Sequence, residues 1–510
     1  MTSLPLTPPP ETNNQAPWKV LVVGAAYGGL NAIVNLLEYA DGNPGRPHHL
    51  TLPDFKGARP KRGLEVVALD ERDGFCKLFP EQLSTTQTAL QARELRAAVH
   101  SVGAPLAHVA KHSTASSWKQ FSQLRELQHP ALELVRGSIR HVDCEARSAT
   151  YFCSESKEER SIFYNYLILA TGLKRAWPVV PRVDLKDDYV EDAFGFINAI
   201  ERSANGRAVV VGGGAVGIEF AAEIALNHPS LHVILVHSRT QLLSSEPLPG
   251  EFKARALDVL REEGVEVILG QRAHIEKAVD GTSKVTLTDG SVIEVGAVFD
   301  GRSGVVPVTQ CLPSEALDEH GYVKILPNLT LPTTVPNASS HLCIGDICAW
   351  SGIKRAGNAL SMGHLAAANI FASILSTEAT NLQHTKDHSF ALHDMGAALP
   401  TPGSESPSYT PASVEATEDA PSPSSEDQSV DAMPPTALPT ETNTQLPPLF
   451  PQTEFPEIPA VMGLAVGTQC VTWDGKEVKW GKEIMEQSFG SDLGWANTLK
   501  YMKLTGLEDE

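Results

Sequence analysis

The sequence has few cysteines, seven in 510 residues, and they follow no regular spacing. This excludes a disulfide-stapled secreted scaffold and favours a reducing compartment. The first residues, MTSLPLTPPPETNNQAP, lack both a charged and apolar leader and an Arg-rich amphipathic pattern. Residue 2 is Thr2 rather than the glycine that N-myristoylation requires. We also expect no apolar run long enough to span a bilayer, and therefore a cytoplasmic protein with at most peripheral membrane contact.

Positive charge is also scarce: Asp and Glu outnumber Lys and Arg, which gives a formal net charge of −20. This argues against nucleic acid or an anionic membrane as the main partner. Part of the negative charge lies in the stretch LPTPGSESPSYTPASVEATEDAPSPSSEDQSVDAMPPTALPTETNT, which has no Lys or Arg. Such a composition buries too little apolar surface to offset the entropy of ordering. It predicts a disordered acidic insert, either a passive loop, which we favour, or a phosphorylated docking segment.

What is present near the amino terminus is a glycine-rich turn, VVGAAYGGLNAIVNLL, between an apolar strand and an amphipathic helix. Gly24 makes the tight turn, and Ala26 stands where a glycine usually admits the pyrophosphate. Gly29 lets the helix pack against the sheet, with Gly28 as a spare. Asp70 ends the next apolar strand, LEVVALD, where a carboxylate accepts ribose hydroxyls. The pattern predicts a dinucleotide site.

A second and more complete copy of this pattern occurs downstream, in RAVVVGGGAVGIEFAAEI. Gly212, Gly214 and Gly217 stand in full G-x-G-x-x-G order after an apolar strand. Two such turns in one chain predict two nucleotides held face to face. That arrangement is what hydride transfer between a nicotinamide and a flavin requires.

Two further motifs complete a recognisable order. Ala170-Thr171-Gly172 follows one apolar strand and Gly345-Asp346 follows another. The order GxAxxG, ATG, GxGxxG, GD resembles the pyridine nucleotide–disulfide oxidoreductase superfamily. The resemblance implies that the first turn and the GD motif hold FAD, with Asp346 on the ribityl chain. It also implies that the second turn holds NAD(P)H.

Within that superfamily the sequence is most similar to the apoptosis-inducing-factor-like (AMID-like, ferroptosis-suppressor-like) flavoproteins of fungal type, relatives of type II NADH dehydrogenases. The segments that carry this likeness are DERDGF, HSVGAPLAHV, VHSRTQLLSSEP and GSDLGWANTLKYMKL. Disulfide reductases have a cysteine pair soon after the first ribose carboxylate, where this chain has only Cys76. Cys343 and Cys348 flank the GD motif instead, and we interpret them as packing residues. The flavin is then expected to pass electrons directly to a small-molecule acceptor such as a quinone.

Two residues are candidates for the catalytic centre. Lys354 precedes a small-residue helix whose amino terminus would face the flavin, and the alternative is a solvated lysine. Glu219 follows the second turn, close to the nicotinamide in similar proteins, and the alternative is a helix-surface carboxylate. His364, on the flavin helix, is interpreted as a packed polar residue.

The nicotinamide donor is predicted from the end of the second strand of the second site. His237, Ser238 and Arg239 stand where an NAD-selective enzyme has Asp or Glu. Ser238 and Arg239 favour the 2′-phosphate of NADPH, and the alternative is a site that accepts NADPH or NADH. We predict no metal site.

These observations predict an α/β fold with two doubly wound Rossmann-like nucleotide-binding domains, for FAD and NAD(P)H, and a small C-terminal α+β cap. Two other classes stay open: an FAD-dependent oxidase or monooxygenase of secondary metabolism, and a non-enzymatic NAD(P)H-binding signalling protein. The extra segment at residues 76–99 is either a lid or retained intron sequence. The predicted boundaries are a disordered tail at 1–17, an FAD domain at 18–195 and 303–376, an NAD(P)H domain at 196–302, a disordered insert at 377–457 and a C-terminal domain at 458–510.

Overall fold

The structure is a computed structural model. It describes residues 16–46, 48, 50–76, 108–114, 117–175, 180–203, 205–277, 282–302, 305–350, 354, 356–394, 450–457, 460–489, 502 and 504. The predicted lid at 76–99, beyond the backbone of Cys76, and the acidic stretch at 395–449 lie outside the described residues.

The strands arise mostly from short apolar runs, and the two fingerprint strands are almost fully buried. They are β1 (Trp18–Val23), β2 (Leu64–Asp70), β3 (Gly74–Cys76), β4 (Trp118–Gln120), β5 (Leu132–Asp143), β6 (Ser148–Cys153), β7 (Glu159–Phe163), β8 (Tyr166–Leu169), β9 (Leu173–Lys174), β10 (Arg207–Val211), β11 (His232–His237), β12 (Glu266–Leu269), β13 (Ala273–Lys277), β14 (Ser283–Leu287), β15 (Val292–Val295), β16 (Ala297–Asp300), β17 (Val306–Pro307), β18 (Val323–Lys324), β19 (His341–Cys343), β20 (Cys348–Ala349), β21 (Met462–Val466), β22 (Gln469–Trp473) and β23 (Val478–Gly481).

The helices connect and cover these strands. They are α1 (Tyr27–Ala40), α2 (Lys111–Thr114), α3 (Lys186–Glu201), α4 (Ala215–Asn227), α5 (Gly250–Glu262), α6 (Ala356–Asp394) and α7 (Lys482–Ser488).

Two parallel sheets organise the molecule. The first has the order β19-β8-β1-β2-β5-β6-β7, in which β19, β8, β1, β2 and β5 run parallel, and β6 and β7 continue from β5 as antiparallel strands. The second has the order β12-β11-β10-β16 and is parallel throughout. In each sheet the strand before a glycine-rich turn is central. Because parallel strands end at one edge, the predicted motifs meet there. The α/β Rossmann-type class is confirmed.

One face of the second parallel sheet is covered by an antiparallel sheet and not by helices. Val209, Val211 and Ile234 of that sheet pack against Val285 and Val295 of the antiparallel sheet β13-β14-β15. An antiparallel layer therefore takes the place that helices occupy in a fully doubly wound sheet.

The predicted small C-terminal unit is also present. Strands β21, β22 and β23 form an antiparallel sheet, which α7 follows. Its Met462 and Leu464 belong to the core of the second nucleotide unit, whereas Cys470 and Met485 belong to the core of the first. The cap therefore packs against both units.

Helix α6 continues to Asp394, beyond the boundary predicted at residue 376. Glu378, just beyond that boundary, is anchored to the first unit, since its carboxylate accepts hydrogen bonds from Trp18 Nε1 at 2.8 Å and from Lys61 N at 2.8 Å. At the other end of the predicted insert, Phe455 N donates to Pro327 O at 2.7 Å. Ordered structure thus reaches into both ends of that segment. The domain boundaries as a whole stay a prediction.

Among the described residues, one helix is long and apolar enough to cross a membrane, at Ala356–Leu382. The expectation that no apolar run would reach that length is therefore wrong by this criterion. However, 83% of its apolar window is buried inside the protein, as is typical of a core helix. Its length and composition are weak support for a membrane span.

Helix α6 owes its burial to a close crossing with α1. A Cβ on Gly363 would lie 2.2 Å from Gly28 O, and one on Gly28 would lie 3.0 Å from Ala359 O. At the same crossing, Asn31 Nδ2 donates to Leu360 O at 2.6 Å. The two helices can approach this closely only because glycine has no side chain.

We predict that Gly363→Ala destabilises the protein because the added methyl group clashes with backbone. Overpacking of this kind costs about 1–3 kcal/mol, so the midpoint of thermal unfolding should fall. The matched control is Gly195→Ala in helix α3, where a Cβ would meet nothing within 4 Å. That substitution should leave the midpoint unchanged or raise it, since alanine favours helix. Equal midpoints for the two variants would contradict the crossing described above.

Candidate functional site

The first glycine-rich turn closes on two backbone contacts. Gly24 has φ +91°, and a Cβ there would lie 2.5 Å from Ala170 O. A Cβ on Gly29 would lie 1.7 Å from Gly24 O. Ala26, in contrast, precedes α1 in extended conformation with φ −86°, which any residue adopts. The alanine in place of the usual second glycine is therefore accommodated without backbone strain.

Asp70 holds this turn from the end of β2. Its Oδ2 accepts a hydrogen bond from Ala25 N at 2.6 Å, and its Oδ1 accepts one from Arg72 N at 2.9 Å. Burial raises the pKa of Asp70, and the two backbone hydrogen bonds and the Arg72 charge oppose this. The carboxylate lies where the sequence predicts the acceptor of the ribose hydroxyls.

The ATG motif lies beside this turn, directly after β8, the neighbour of β1. Thr171 Oγ1 donates to Val308 O at 2.5 Å, and Val308 N donates to Gly172 O at 3.0 Å. Gly172 has φ +69°, and a Cβ there would meet nothing within 4 Å. The motif thus ties two chain segments together and leaves open space beside Gly172.

The GD motif forms a single 3-10 turn, Gly345–Ile347, directly after β19. A guanidinium nitrogen of Arg175 lies 3.9 Å from Asp346 Oδ2. Burial raises the pKa of Asp346, and the charges of Arg175 and Lys354 oppose the rise. Asp346 is thus a partly buried acid whose neighbours include two cations, Arg175 and Lys354.

Lys354 lies at the same end of the cleft, next to the start of α6. Its Nζ donates to Cys348 O at 2.5 Å and lies 4.7 Å from the ring centroid of Tyr322. Burial lowers the pKa of Lys354, and the charge of Asp346 is the largest opposing cause. The predicted alternative of a solvated lysine does not match this geometry.

The second glycine-rich turn repeats the construction of the first. Gly212 has φ +119°, and a Cβ there would lie 2.8 Å from Gly301 C. A Cβ on Gly217 would lie 1.9 Å from Gly212 O, as at Gly29 in the first turn. A Cβ on Gly214 would meet nothing within 4 Å, so open space lies at the amino terminus of α4.

The two turns open into one cleft of about 1160 Å³. The structure thus brings most of the predicted site residues together. The predicted residues that line the cleft are Gly24, Ala26, Gly28, Asp70, Ala170, Thr171, Gly172, Gly214, Gly217, Gly345, Asp346 and Lys354.

Five predicted residues do not line this cleft. Gly29 and Gly212 shape the turns from behind, through the contacts above. Glu219 is 1% exposed and lies on the side of α4 that packs against β21. Burial raises the pKa of Glu219 well above its usual range, and a hydrogen bond with the Ala465 backbone opposes this rise. Neither the expected position near the cleft nor the helix-surface alternative matches this placement.

Ser238 and Arg239 are exposed at the end of β11, outside the cleft lining. Gly270 N donates to Arg239 O at 2.9 Å, which fixes the backbone there. Among the described residues, the Arg239 guanidinium has no carboxylate within ion-pair distance. The end of β11, which carries Ser238 and Arg239, is adjacent to the second glycine-rich turn.

The structure adds lining residues that the motifs do not contain. Arg175 contacts Asp346 and also lowers the pKa of Glu246, which burial raises. Tyr322 supplies the ring beneath Lys354. Arg175 follows the ATG motif closely, and Glu246 lies in the VHSRTQLLSSEP segment that carries the family likeness, so both could have been predicted from sequence. Tyr322 belongs to no such segment and reaches the cleft only through the fold.

The cysteines have the character of packing residues. Cys343 and Cys348 are 1% and 0% exposed, and both belong to the main core. Burial raises the pKa of both thiols. Cys311 lines the cleft but is 4% exposed, and burial raises its pKa to about 12. All six described cysteines are free thiols, and the described residues contain no cluster suited to a metal ion.

Two Rossmann-type turns that share one cleft, together with an ATG and a GD motif at its walls, define a two-dinucleotide oxidoreductase. The family model for pyridine nucleotide-disulphide oxidoreductases matches residues 18–363. The chain belongs to this family, and it is an FAD- and NAD(P)H-dependent oxidoreductase.

The chain is also similar to individual proteins. The chain is 39% identical over 369 residues to a protein of Ajellomyces capsulatus named oxidoreductase OXR1, which covers 71% of this chain and 74% of that protein. It is 35% identical over 112 residues to ferroptosis suppressor protein 1 of Taeniopygia guttata, covering 22% of this chain and 29% of that protein. Among solved structures, a ferredoxin reductase from Rhodopseudomonas palustris matches with a TM-score of 0.48 and 19% identity, over 69% of this chain and 76% of that chain.

The residues present fit the two nucleotides. The space beside Gly172 and Gly214, which a Cβ would partly fill, allows close approach of a ligand to backbone. The amino termini of α1 and α4 border this space, where the positive end of each helix dipole would favour a pyrophosphate. Asp70 and Asp346 both line the cleft, and their carboxyl groups would suit the hydroxyl groups of a nucleotide at the first site.

We predict that Asp346→Ala loses FAD. A hydrogen bond to a charged group contributes roughly 1.5–3 kcal/mol, so the variant should bind FAD about tenfold or more weakly. The measurement is the 450 nm absorbance per protein after purification, with acid precipitation to show that the flavin is non-covalent. The control is Asp289→Ala, which removes an exposed turn carboxylate of the other unit. Full flavin absorbance in Asp346→Ala would refute the assignment.

Proposed function

We propose that this protein oxidises NADPH through non-covalent FAD and passes the electrons to an external quinone, without a redox disulfide. The observation that carries the proposal is the single cleft lined by both glycine-rich turns. The only cysteine among its described lining residues is Cys311, whose raised pKa disfavours the reactive thiolate.

The electrostatics of the cleft support a flavin reduced by a nicotinamide. When bound, FAD accepts a hydride from NAD(P)H and later releases the electrons to the acceptor. Lys354 and the amino terminus of α6 place positive charge at one end of the cleft. Tyr322 and Cys348 O hold the lysine ammonium at that end. This charge favours an electron-rich ring there.

A quinone as the acceptor is supported by resemblance rather than by a shaped subsite. The sequence resembles flavoproteins that habitually reduce quinones, and one relative bears the name ferroptosis suppressor protein 1. Direct electron transfer to a small acceptor also needs no thiol, in keeping with the buried Cys343 and Cys348.

The proposal is tested with a screen of acceptors. NADPH oxidation by the FAD-loaded enzyme is measured with benzoquinones, naphthoquinones, ferricyanide and oxygen. We expect the highest kcat/KM with a quinone. Rapid oxidation by oxygen, with an oxygenated product, would instead indicate a monooxygenase. Binding of both nucleotides with negligible turnover on every acceptor would indicate a signalling protein.

The preference for NADPH rests on the end of β11. An exposed arginine and a serine stand there in place of the carboxylate that accepts ribose hydroxyls and repels a 2′-phosphate. The guanidinium of Arg239 is able to make a bidentate contact with phosphate, and Ser238 is able to donate to it.

We predict that Arg239→Ala lowers kcat/KM for NADPH about tenfold or more, because one charge-assisted contact is lost, and leaves that for NADH nearly unchanged. The control is Arg207→Ala, which removes an exposed arginine at the opposite edge of the same sheet. It should leave the ratio of the two donors unchanged. A parent enzyme that favours NADH, or a ratio that Arg239→Ala does not move, would show that the assignment is wrong.

A further inference from the structure

His237 ends strand β11, immediately before Ser238 and Arg239. Its Nδ1 lies 3.0 Å from Gly213 N, which donates a hydrogen bond to it. This contact holds the second glycine-rich turn against the end of the strand that carries the predicted nucleotide-selective residues.

The first nucleotide site contains the equivalent contact. There Asp70, at the end of β2, accepts a hydrogen bond from Ala25 N at 2.6 Å. Ala25 follows Gly24 in the first turn as Gly213 follows Gly212 in the second. His237 therefore does for the second turn what a carboxylate does for the first.

The surrounding backbone bonds show that the two turns correspond position by position. Gly24 N donates to Leu69 O at 2.8 Å, and Gly212 N donates to Val236 O at 2.8 Å. In both sites the acceptor is the residue just before the one that holds the turn. The imidazole of His237 and the carboxylate of Asp70 thus occupy equivalent places.

The direction of the bond fixes the proton on His237. Because Nδ1 faces an N–H group, it accepts and carries no hydrogen, and the ring hydrogen is on Nε2, 3.3 Å from Ser244 Oγ. Burial lowers the pKa of His237, and the charge of Arg239 lowers it further. A hydrogen bond with the Gln241 backbone acts in the opposite direction. A ring whose Nδ1 accepts a hydrogen bond in this way carries no net charge.

We propose that His237 is a determinant of nucleotide selectivity: it supplies the acceptor that closes the turn, without the negative charge that a ribose-binding carboxylate would place beside a 2′-phosphate. A carboxylate at this place accepts ribose hydroxyls and repels phosphate, whereas a neutral imidazole only closes the turn. This inference deepens the proposed function and rests on its NADPH preference. Arg239 then attracts a phosphate that His237 does not repel.

The experiment compares three substitutions that separate hydrogen bonding from charge. His237→Asn keeps a neutral acceptor, His237→Asp keeps an acceptor and adds a charge, and His237→Ala removes the acceptor. Dissociation constants of NADP⁺ and NAD⁺ are measured by calorimetry on the oxidised, FAD-loaded enzyme, which needs no acceptor and no turnover. Flavin absorbance and the thermal midpoint confirm that each variant is folded, and His237→Glu replaces the Asp variant if that one does not purify.

We expect the Asn variant to keep the parent's ratio of NADP⁺ to NAD⁺ affinity within about threefold, because charge and not shape sets the ratio. The Asp variant should move the ratio at least about tenfold toward NAD⁺, since opposed like charges are strongly unfavourable. The Ala variant should weaken both nucleotides together, because the turn loses its acceptor.

The parent and the variants test different statements. A parent that binds NAD⁺ better would refute the NADPH preference, and a further move toward NAD⁺ in the Asp variant would still support the role of His237. Conversely, equal ratios in the Asn and Asp variants would overturn the role of His237, whichever nucleotide the parent prefers.

Discussion

Each dinucleotide turn depends on one contact, in which the last glycine of the motif lies against the carbonyl oxygen of the first. Neither place has room for a side chain. A Cβ on Gly29 would lie 1.7 Å from Gly24 O, and a Cβ on Gly217 would lie 1.9 Å from Gly212 O. The contact draws the amino terminus of a helix to the carboxyl edge of a parallel sheet. The positive end of the helix dipole then faces the space where a pyrophosphate would bind. With two such turns at one cleft, donor and flavin come within reach of each other.

The charges around the cleft depend on this packing. Arg175 lies between a carboxylate of the first unit, Asp346, and one near the second unit, Glu246, and it lowers the pKa of both against burial. Lys354 is held by a backbone carbonyl and an aromatic ring rather than by solvent. The cleft thus has fixed cations at the end where the GD motif and helix α6 begin.

The local motifs could be predicted from sequence because their chemistry is local. A glycine at a fixed offset after an apolar strand has few interpretations, and the carboxylate Asp70 follows from the same pattern. Glu219 was predicted near the nicotinamide, but the C-terminal sheet covers its side of α4. That cover comes from a segment far along the chain, which no local pattern reveals. The anchoring of α6 at Glu378 comes likewise from Trp18, a residue far away in the chain.

The central claim is that electrons pass from nicotinamide to flavin to acceptor without a thiol relay, and an anaerobic reductive titration tests it most directly. The FAD-loaded enzyme is titrated with dithionite while the 450 nm absorbance is followed. We expect full bleaching after two electrons per FAD, because the buried Cys343 and Cys348 take none, and complete recovery when a quinone is added. Uptake of four electrons per FAD would reveal a redox disulfide and would contradict electron transfer without a thiol relay.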